Sequence, residues 1–501
     1  MEEPNRNAVV VFFILHRRPS PITPFCAGNI PFSHQQTNPK QMIAFKSGSL
    51  LIPPTPQAQE IIDGLALPNP KHEQVVKMRA RGKRIMRTPP EHVYASRTIE
   101  GGDHDNWLAV PRAVNGELSR IPCQLKIIDR TTFPPRGREL NVTGMESRDY
   151  QIEAVDAFMA EKNGVIEAPC GAGKTAIGIQ VIARLQTRAL VLVHTRDLLK
   201  QWMDRLKANL DPEPVIGRLK LIEDSPDVIV ETVQTLVKYP WHERAKWGEQ
   251  FGLVIMDEAH HTPADTFSDV ISSMSARYRL ALTATPERSD GLTQLLHWHF
   301  GGTIYKVDRK QLEDAGQIVT PTVCMVSTQY QADPGDWVKM LSDMTEDGAR
   351  NGIIFNQVRD LVKAGHRVLV ITERVDHAIG LAEMLSDDTL RAKALTGEMP
   401  KKAREALIGE ATAGNVDVLC ATTIADEGLD MPCLSAIVLA MPVSRAIAKV
   451  EQRVGRIMRP YPGKPSPIVI DLVDDTDTLR GLAWKRIGKV YRKLGCAVEG
   501  M

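Results

Sequence analysis

The sequence predicts an α/β protein in which two doubly wound parallel-sheet domains follow one another behind a small α+β domain. Two series of short, β-branched strands support this fold class, and helical stretches separate the strands. The first series reads GVIEA, RALVLVH, DVIVE, GLVIM and RLALT, and the second reads TVCMV, RVLVIT, RAKAL, VDVLC, SAIVLA and PIVIDL. Such alternation is typical of buried parallel strands joined by crossover helices.

Changes in this pattern predict the domain boundaries. Residues 1–41 are loop-rich and weakly patterned, so we expect a tail there. Strand-like and helix-like pieces such as IAFKSGSLLI and AQEIIDGLAL then alternate, which indicates an accessory domain. The predicted organisation is a tail (1–41), an accessory domain that is a candidate for nucleic-acid binding (42–140), a first α/β domain (141–310), a linker with the first strand of the next domain (311–330) and a second α/β domain (331–501).

The composition bounds the class of protein. The 501 residues include 62 Lys and Arg against 61 Asp and Glu, so any surface for a polyanion must be local. The seven cysteines form no C-x-x-C pair, which favours a reducing cytoplasm and argues against structural zinc. The apolar run from Ala8 to Leu15 is too short to span a bilayer and suits a secretion signal poorly. We therefore expect a cytoplasmic protein without a membrane partner.

A glycine-rich turn follows the first strand of the first series. Residues 168–175 read APCGAGKT, which fits the phosphate-loop spacing G-x-x-x-x-G-K-[ST] with Ala168 at the first glycine position. Backbone N–H groups of such a loop wrap phosphates, and we expect Lys174 to reach the β and γ oxygens and the Thr175 hydroxyl to bind Mg. A plain glycine turn is the alternative. The predicted phosphate-binding residues are Pro169, Cys170, Gly171, Ala172, Gly173, Lys174 and Thr175.

Two adjacent carboxylates follow the strand GLVIM. Asp257 and Glu258 lie at the C-terminal end of that strand, which is the edge where ligands bind in parallel sheets. We expect Asp257 to hold Mg and Glu258 to orient and deprotonate the attacking water. Paired acids at a strand end are often only a solvated turn, so this interpretation depends on the phosphate loop in the same predicted sheet.

Arginines with a helical spacing occur in the second domain, in the stretch EQRVGRIMRP. Arg453, Arg456 and Arg459 would form an exposed face in the simplest interpretation. However, this domain has no phosphate loop of its own, and phosphoryl transfer benefits from cations that neutralise the developing charge. We therefore expect these arginines to face a nucleotide held by the first domain.

The ordered set of motifs resembles that of the superfamily 2 helicases, whose core is two RecA-like domains. The resemblance covers about residues 144–485, with RDYQ at 148–151, APCGAGKT, DEAH at 257–260, TATP at 283–286, DEGLDMP at 426–432 and Q-x-x-G-R-x-x-R at 452–459. The stretches TATPERSDG and HTRDLLKQW are most similar to the XPB-like, UvsW-like and restriction-subunit group, which works on DNA. Because RNA-processing helicases also carry DEAH, RNA remains an alternative partner.

The resemblance implies roles for further residues. Arg148 and Gln151 would recognise adenine, and Asp430 would approach the ribose. Thr283 and Thr285 would couple the nucleotide site to strand binding. Gln452 would sense the γ-phosphate or the Mg-bound water, and Arg456 and Arg459 would be arginine fingers. The expected catalytic set is therefore Lys174, Asp257, Glu258, Gln452, Arg456 and Arg459.

A translocase must hold one nucleic-acid strand chiefly by its phosphates, so it needs N–H groups, hydroxyls and cations at loop tips. Each candidate for this track follows a predicted strand, although any one of them is as readily a helix cap or a turn residue. The candidates are Thr195, Arg196, Gln234, Thr235, Arg374, Thr396, Gly397 and Thr422.

A basic segment, KMRARGKRIMR at 77–87, holds six cations in eleven residues of the accessory domain. A solvated surface explains it at least as well as a grip on duplex phosphates. The C-terminal stretch with Trp484, Arg486 and Tyr491 raises the same question, and there we favour packing with a solvated face.

The sequence therefore predicts an ATP- and Mg-dependent DNA helicase or translocase that moves along or remodels forks, branches or R-loops. ATP binding would close the cleft between the RecA-like domains and hydrolysis would reopen it. The resemblance implies 3′ to 5′ polarity. Two alternatives stay open: an ATP-gated nucleic-acid clamp, and a motor subunit of a larger restriction or nuclease assembly.

Overall fold

The chain divides into two structural units. The computed structural model describes residues 41–500 except 56–57, 81, 83–84, 86–87, 99–106, 115–117, 119–123, 170, 225, 260–263, 285–291, 332–335, 423–430 and 443–446. Apart from residues 169–173, the first unit extends to Lys306 and the second begins at Val307. The predicted tail lies outside the described residues except for Gln41, which begins the first strand.

The N-terminal part of the first unit is a small domain of mixed strands and helices. Its elements are β1 (Gln41–Lys46), β2 (Leu50–Ile52), α1 (Ala58–Gly64), β3 (Ala66–Pro68), α2 (Pro70–Ala80), β4 (His92–Tyr94), β5 (Arg97–Thr98), β6 (Leu108–Val110) and β7 (Gln124–Asp129). Five of them form a sheet in the order β5-β6-β2-β1-β7, in which only β1 and β7 run parallel. Leu50, Ile52 and Ile61 belong to its core. The predicted α+β accessory domain is confirmed.

The rest of the first unit is built around a doubly wound parallel sheet. Its elements are β8 (Asn141–Val142), α3 (Asp149–Glu161), β9 (Asn163–Glu167), α4 (Lys174–Leu185), β10 (Ala189–Val193), α5 (Arg196–Asn209), β11 (Leu210–Asp211), β12 (Ile216–Gly217), a 3-10 helix (Leu219–Asp224), β13 (Val228–Thr232), α6 (Val233–Leu236), α7 (Trp241–Gly248), β14 (Leu253–Asp257), α8 (Ala264–Ser272), β15 (Tyr278–Thr283), α9 (Thr293–Phe300) and β16 (Thr303–Lys306). Seven strands pair in parallel in the order β12-β13-β10-β14-β15-β9-β16. Beside this sheet, β8 and β11 form a separate antiparallel pair.

The central strands of this sheet are buried on both faces. Every residue of β10, β13 and β14 is buried, as expected when helices cover both sides of a parallel sheet. The five strands predicted for this domain are all present. Because the strands are parallel, the residues that follow β9, β10, β13 and β14 all lie at the C-terminal edge of the sheet, formed by the ends of the strands. The sequence predicts the site residues at this edge.

The second unit repeats this architecture. Its elements are α10 (Arg309–Asp314), β17 (Thr322–Ser327), α11 (Trp337–Glu346), α12 (Gly348–Lys363), β18 (Val368–Ile371), α13 (Val375–Leu385), β19 (Ala392–Leu395), α14 (Lys401–Thr412), β20 (Val418–Ala421), β21 (Ala436–Leu439), α15 (Ile447–Ile457), β22 (Ile468–Val473), α16 (Asp477–Arg486), a π-helical turn (Ile487–Tyr491) and β23 (Ala497–Glu499). The parallel order is β19-β20-β18-β21-β22-β17-β23. All six predicted strands are present, and the predicted fold class of two tandem RecA-like domains is confirmed.

A buried arginine fastens the accessory domain to the first parallel sheet. The guanidinium of Arg279, at the start of β15, is fully buried and donates hydrogen bonds to backbone carbonyls. Its acceptors are the carbonyl oxygens of Gly48 (2.5 Å), Met274 (2.7 Å), Ile271 (3.0 Å) and His299 (3.1 Å). Since Gly48 belongs to the β1–β2 turn, one side chain ties the accessory sheet to the parallel sheet. None of the described helices is long and apolar enough to cross a membrane.

Substitution of Gly48 tests this attachment. A Cβ at Gly48 would collide with the carbonyl oxygen of Ser272 and would lie 3.1 Å from the Met274 nitrogen. We expect Gly48→Ala to lower the free energy of unfolding of the first unit by about 1–3 kcal/mol, since backbone atoms there cannot yield without displacing the turn. Gly137→Ala, at an exposed position with nothing within 4 Å of the added Cβ, is the control in urea unfolding. Equal stability of the two variants would contradict the attachment.

Candidate functional site

The phosphate loop has the strand-to-helix setting that its spacing predicts. It leaves β9 after Glu167 and enters α4 at Lys174. Gly171 and Gly173 have φ angles of +90° and +78°, a conformation that favours glycine. The ammonium of Lys174 lies 3.3 Å from the Ala168 carbonyl oxygen and 3.1 Å from Glu258 Oε1. The predicted Cys170 lies outside the described residues.

Asp257 and Glu258 lie at the end of β14 as predicted, and the backbone turns sharply between strand and loop. Asp257 is 5% exposed, and its Oδ1 accepts a hydrogen bond of 3.0 Å from the Glu258 amide. Its Oδ2 accepts a hydrogen bond of 2.8 Å from the indole Nε1 of Trp202. Glu258 has a φ of +49°, which is unusual for a side chain of this size and aims its carboxylate toward Lys174.

The electrostatics of this pair suit a divalent cation. Burial, and after it the negative charge of Glu258, raise the pKa of Asp257 to about 6, while the charge of Lys174 opposes the shift. The buried negative charge therefore exceeds the positive charge next to it. Mg is commonly held by one or two carboxylates together with substrate phosphates. Asp257 offers such a carboxylate, and the hydroxyl of Thr175, in the first turn of α4, offers a further oxygen.

The residues expected to recognise adenine begin α3. The Arg148 amide donates to Gln151 Oε1 at 3.2 Å, and the Arg148 guanidinium donates to the Tyr150 hydroxyl at 2.8 Å. Gln151 is 3% exposed. In this arrangement Gln151 caps its own helix, so the assignment of Arg148 and Gln151 to adenine stays a prediction.

The second unit carries the other expected nucleotide residues on and after α15. Arg453 is 2% exposed and faces the core, whereas Gln452 and Arg456 on the same helix are half-buried. Arg459 follows the helix, and its carbonyl oxygen accepts a hydrogen bond of 2.7 Å from Lys464. The predicted ribose residue, Asp430, lies outside the described residues, as does Thr285.

The candidates for the nucleic-acid track differ in what their side chains do. Thr195 caps α5, because its hydroxyl accepts the Leu198 amide at 3.2 Å. The Thr235 hydroxyl lies 2.8 Å from that of Thr232, and Arg374 donates to the Val338 carbonyl at 3.2 Å. The exposed members of the set are Arg196, Gln234 and Gly397, and the buried ones are Thr396 and Thr422.

Sequence reasoning missed the role of Trp202. The spacing of Leu199, Trp202 and Leu206 along α5 indicates a core-facing stripe, and all three are buried. No feature of that spacing predicts that the indole N–H reaches Asp257. The only available signal was the presence of a residue with both a large ring and a donor in the stripe.

The basic segment is accessible where it is described. No residue of α2, which contains Lys77 and Arg79, is buried. In the C-terminal stretch, by contrast, Arg486 and Tyr491 are buried on Asp471 while Trp484 is 56% exposed, so the predicted packing with a solvated face is confirmed.

Two family models match the chain. Residues 144–288 match the type III restriction enzyme res subunit, and residues 353–461 match the helicase conserved C-terminal domain. The first match spans the phosphate loop and the carboxylate pair, and the second spans α15 with its arginines.

Similar proteins include viral and archaeal ones. A protein of Acanthamoeba polyphaga mimivirus that bears the name of an ATP-dependent RNA helicase is 28% identical over 330 residues, which are 63% of this chain and 61% of that protein. The DNA 3'-5' translocase XPB2 of Sulfurisphaera tokodaii is 29% identical over 381 residues, which are 68% of this chain and 83% of that protein. The chain thus spans less than two thirds of the mimivirus protein.

A solved structure shares the fold. The ATP-dependent type ISP restriction-modification enzyme LlaBIII, solved bound to DNA, superposes with a TM-score of 0.52 at 16% identity and covers 69% of this chain and 30% of that one. At this identity the likeness concerns the fold alone.

The buried carboxylate makes stability depend on pH. Because the pKa of Asp257 is about 6 when folded and near its ordinary value when unfolded, the ionised side chain destabilises the fold above pH 6, and protonation removes that cost as the pH falls. With a chelator present to remove divalent cations, we expect Asp257→Asn to raise the free energy of unfolding of the first unit most above pH 7. Below pH 6 this gain in free energy should shrink by up to about 1.4 kcal/mol per pH unit. Urea unfolding at pH 4.5 to 8 measures this gain. Asp204→Asn, on the exposed face of α5, is the control because it removes the same charge from a solvated position. A gain that is constant over this range would contradict the prediction.

Proposed function

We propose that the chain is a superfamily 2 helicase of the XPB-like group and that it couples ATP hydrolysis to movement along DNA or to its remodelling. The observation that carries the proposal is the convergence of Lys174, Asp257 and Glu258 at the C-terminal edge of one parallel sheet. A glycine loop that can wrap phosphates, a carboxylate for Mg and a carboxylate for water are what phosphoryl transfer to water requires.

The Lys174–Glu258 ion pair implies that nucleotide binding precedes activation of the water. Without nucleotide, the 3.1 Å contact keeps the Glu258 carboxylate occupied by the lysine. When Lys174 turns to the β and γ oxygens, Glu258 becomes the base that orients a water and accepts its proton at a carboxylate oxygen. Bound Mg would neutralise charge on the phosphates, with Asp257 and Thr175 as its protein ligands.

The remaining assignments belong to the same proposal. Arg148 and Gln151 bind adenine, Asp430 approaches the ribose, Gln452 senses the γ-phosphate, and Arg456 and Arg459 neutralise the charge that develops during hydrolysis. The strand track is assigned to Thr195, Arg196, Gln234, Thr235, Arg374, Thr396, Gly397 and Thr422, with Arg196 and Gln234 the most accessible side chains for phosphates.

The substrate is proposed as DNA and the polarity as 3′ to 5′, because a relative of which this chain covers 83% is named a DNA 3'-5' translocase. The mimivirus relative is named for RNA, so RNA belongs in the same test. We place the activity in a reducing cytoplasm, consistent with the four free cysteines among the described residues.

Steady-state ATP hydrolysis tests this proposal. It is measured alone and with single-stranded DNA, duplex DNA, a fork and RNA. We expect DNA to stimulate turnover, and both Glu258→Gln and Lys174→Ala to reduce the stimulated rate by about 100-fold or more, since they remove the base and the phosphate-binding cation.

Undiminished turnover in both variants would contradict the assignment of the site. Absence of stimulation by any polymer would favour the ATP-gated clamp or a motor that is silent without its assembly. If RNA alone stimulates ATP hydrolysis, the substrate is RNA and the proposal of DNA is wrong.

We also propose that the basic segment grips duplex phosphates. Lys77 and Arg79 lie on α2, which buries no residue, and the Lys77 side chain is 72% exposed. The variant Lys77→Ala/Arg79→Ala should weaken duplex binding and reduce the slope of log affinity against log salt by about 2. Lys363→Ala, an equally exposed lysine on α12 in the second unit, is the control. An unchanged slope would identify the segment as solvated surface.

A further inference from the structure

Helix α5 joins two parts of the proposed machinery. At its N-terminal end are Thr195 and Arg196, which were assigned to the nucleic-acid track. Seven residues after Thr195, the buried indole of Trp202 donates its N–H to Asp257 Oδ2 at 2.8 Å. At 1.5 Å per residue, these positions are about 10 Å apart along one helix.

The indole also packs against the helix that begins with Lys174. Gly178 lies one turn after Lys174 on α4, and a Cβ added there would be 2.5 Å from the outer ring carbon of Trp202. The same Cβ would be 3.4 Å from Leu282 in β15. The ring is therefore held between α4 and the edge of the sheet, with its N–H aimed at the carboxylate.

We propose that Trp202 is a positioning residue that holds the Asp257 carboxylate in the orientation that binds Mg and links that orientation, through helix α5, to nucleic-acid contact at Thr195 and Arg196. The proposal rests on the proposed function for the identity of the two ligands. The hydrogen bond and the packing against Gly178 are its structural basis.

The geometry makes this link sensitive to small movements. Asp257 has two carboxylate oxygens, and the hydrogen bonds from Trp202 and the Glu258 amide engage one each, which fixes the plane of the group. A tryptophan side chain has only two torsions, and the close approach of Gly178 restricts the ring further. A displacement of α5 therefore moves the indole N–H with the helix. A shift of less than 1 Å takes a 2.8 Å hydrogen bond beyond the useful range.

A measurement of Mg affinity without turnover tests the positioning role. The unfolding temperature is followed with excess ADP while Mg is titrated, and the Mg concentration that gives half of the rise is compared between variants. We expect Trp202→Phe, which keeps an aromatic ring but loses the donor, to raise this concentration by about tenfold or more, as removal of a group that orients a metal ligand usually does.

Trp298→Phe is the matched control, because Trp298 is a buried tryptophan of the same unit at 4% exposure in the accessory core. An unchanged Mg requirement in Trp202→Phe, or an equal change in both variants, would overturn the positioning role. If Trp202→Phe fails to fold, incorporation of 3-benzothienylalanine at position 202 removes the donor while keeping the bicyclic shape, with the same expected result.

The link through α5 is tested separately by the ratio of ATP hydrolysis with and without single-stranded DNA at saturating Mg and ATP. We expect this ratio to fall by about tenfold in Trp202→Phe and to stay at the wild-type value in Trp298→Phe. An equal loss of the basal and the stimulated rate in Trp202→Phe would overturn the link. If the wild-type chain shows no stimulation, the proposed function fails, whereas the Mg titration still decides the positioning role.

Discussion

Two carboxylates buried side by side at the end of β14 are the constraint on which the site depends. Asp257 is 5% exposed and the Glu258 side chain 14%, so both charges lie where water cannot stabilise them fully. Lys174 compensates one of them, and neutral donors stabilise the other without cancelling its charge. Binding of Mg would supply the missing positive charge and allow Lys174 to turn to phosphate. Such a charge imbalance fits the Mg–nucleotide complex that we propose for this site.

The second unit, which has the same fold, contains buried carboxylates that are each paired with an arginine. Arg350 and Asp474 are 0% and 1% exposed and form two hydrogen bonds, of 2.8 and 3.2 Å. Arg486 pairs in the same bidentate way with Asp471. In both pairs each buried charge has a partner of opposite sign, which is the usual condition for burying a charge. These pairs hold strands and helices together, whereas both hydrogen bonds to the Asp257 carboxylate come from neutral donors.

The sequence predicts those features that depend on residues close together along the chain. The continuous β-branched strands, the phosphate loop and the adjacent acids are local patterns, and the structure contains each of them. The short edge strands β12, β16 and β23 have two to four residues and no such pattern. The hydrogen bond of Trp202 joins residues 55 positions apart, so only the tertiary structure reveals it. Thr195 was compatible with a cap or a phosphate contact; its hydroxyl caps α5 in the structure, and the phosphate contact stays a prediction.

Arg279 binds the accessory domain at the end of the parallel sheet opposite the phosphate loop. Arg279 lies near the start of β15 and Thr283 at its end, and four residues of a strand span about 13 Å. The accessory turn at Gly48 is bound at the start, while the phosphate loop, Asp257 and Glu258 lie at the opposite edge of the sheet. The anchor therefore lies at the end of the sheet opposite the proposed nucleotide site. If the accessory domain stays fixed in this way, a duplex held by α2 would follow the first RecA-like domain through the hydrolysis cycle that we propose.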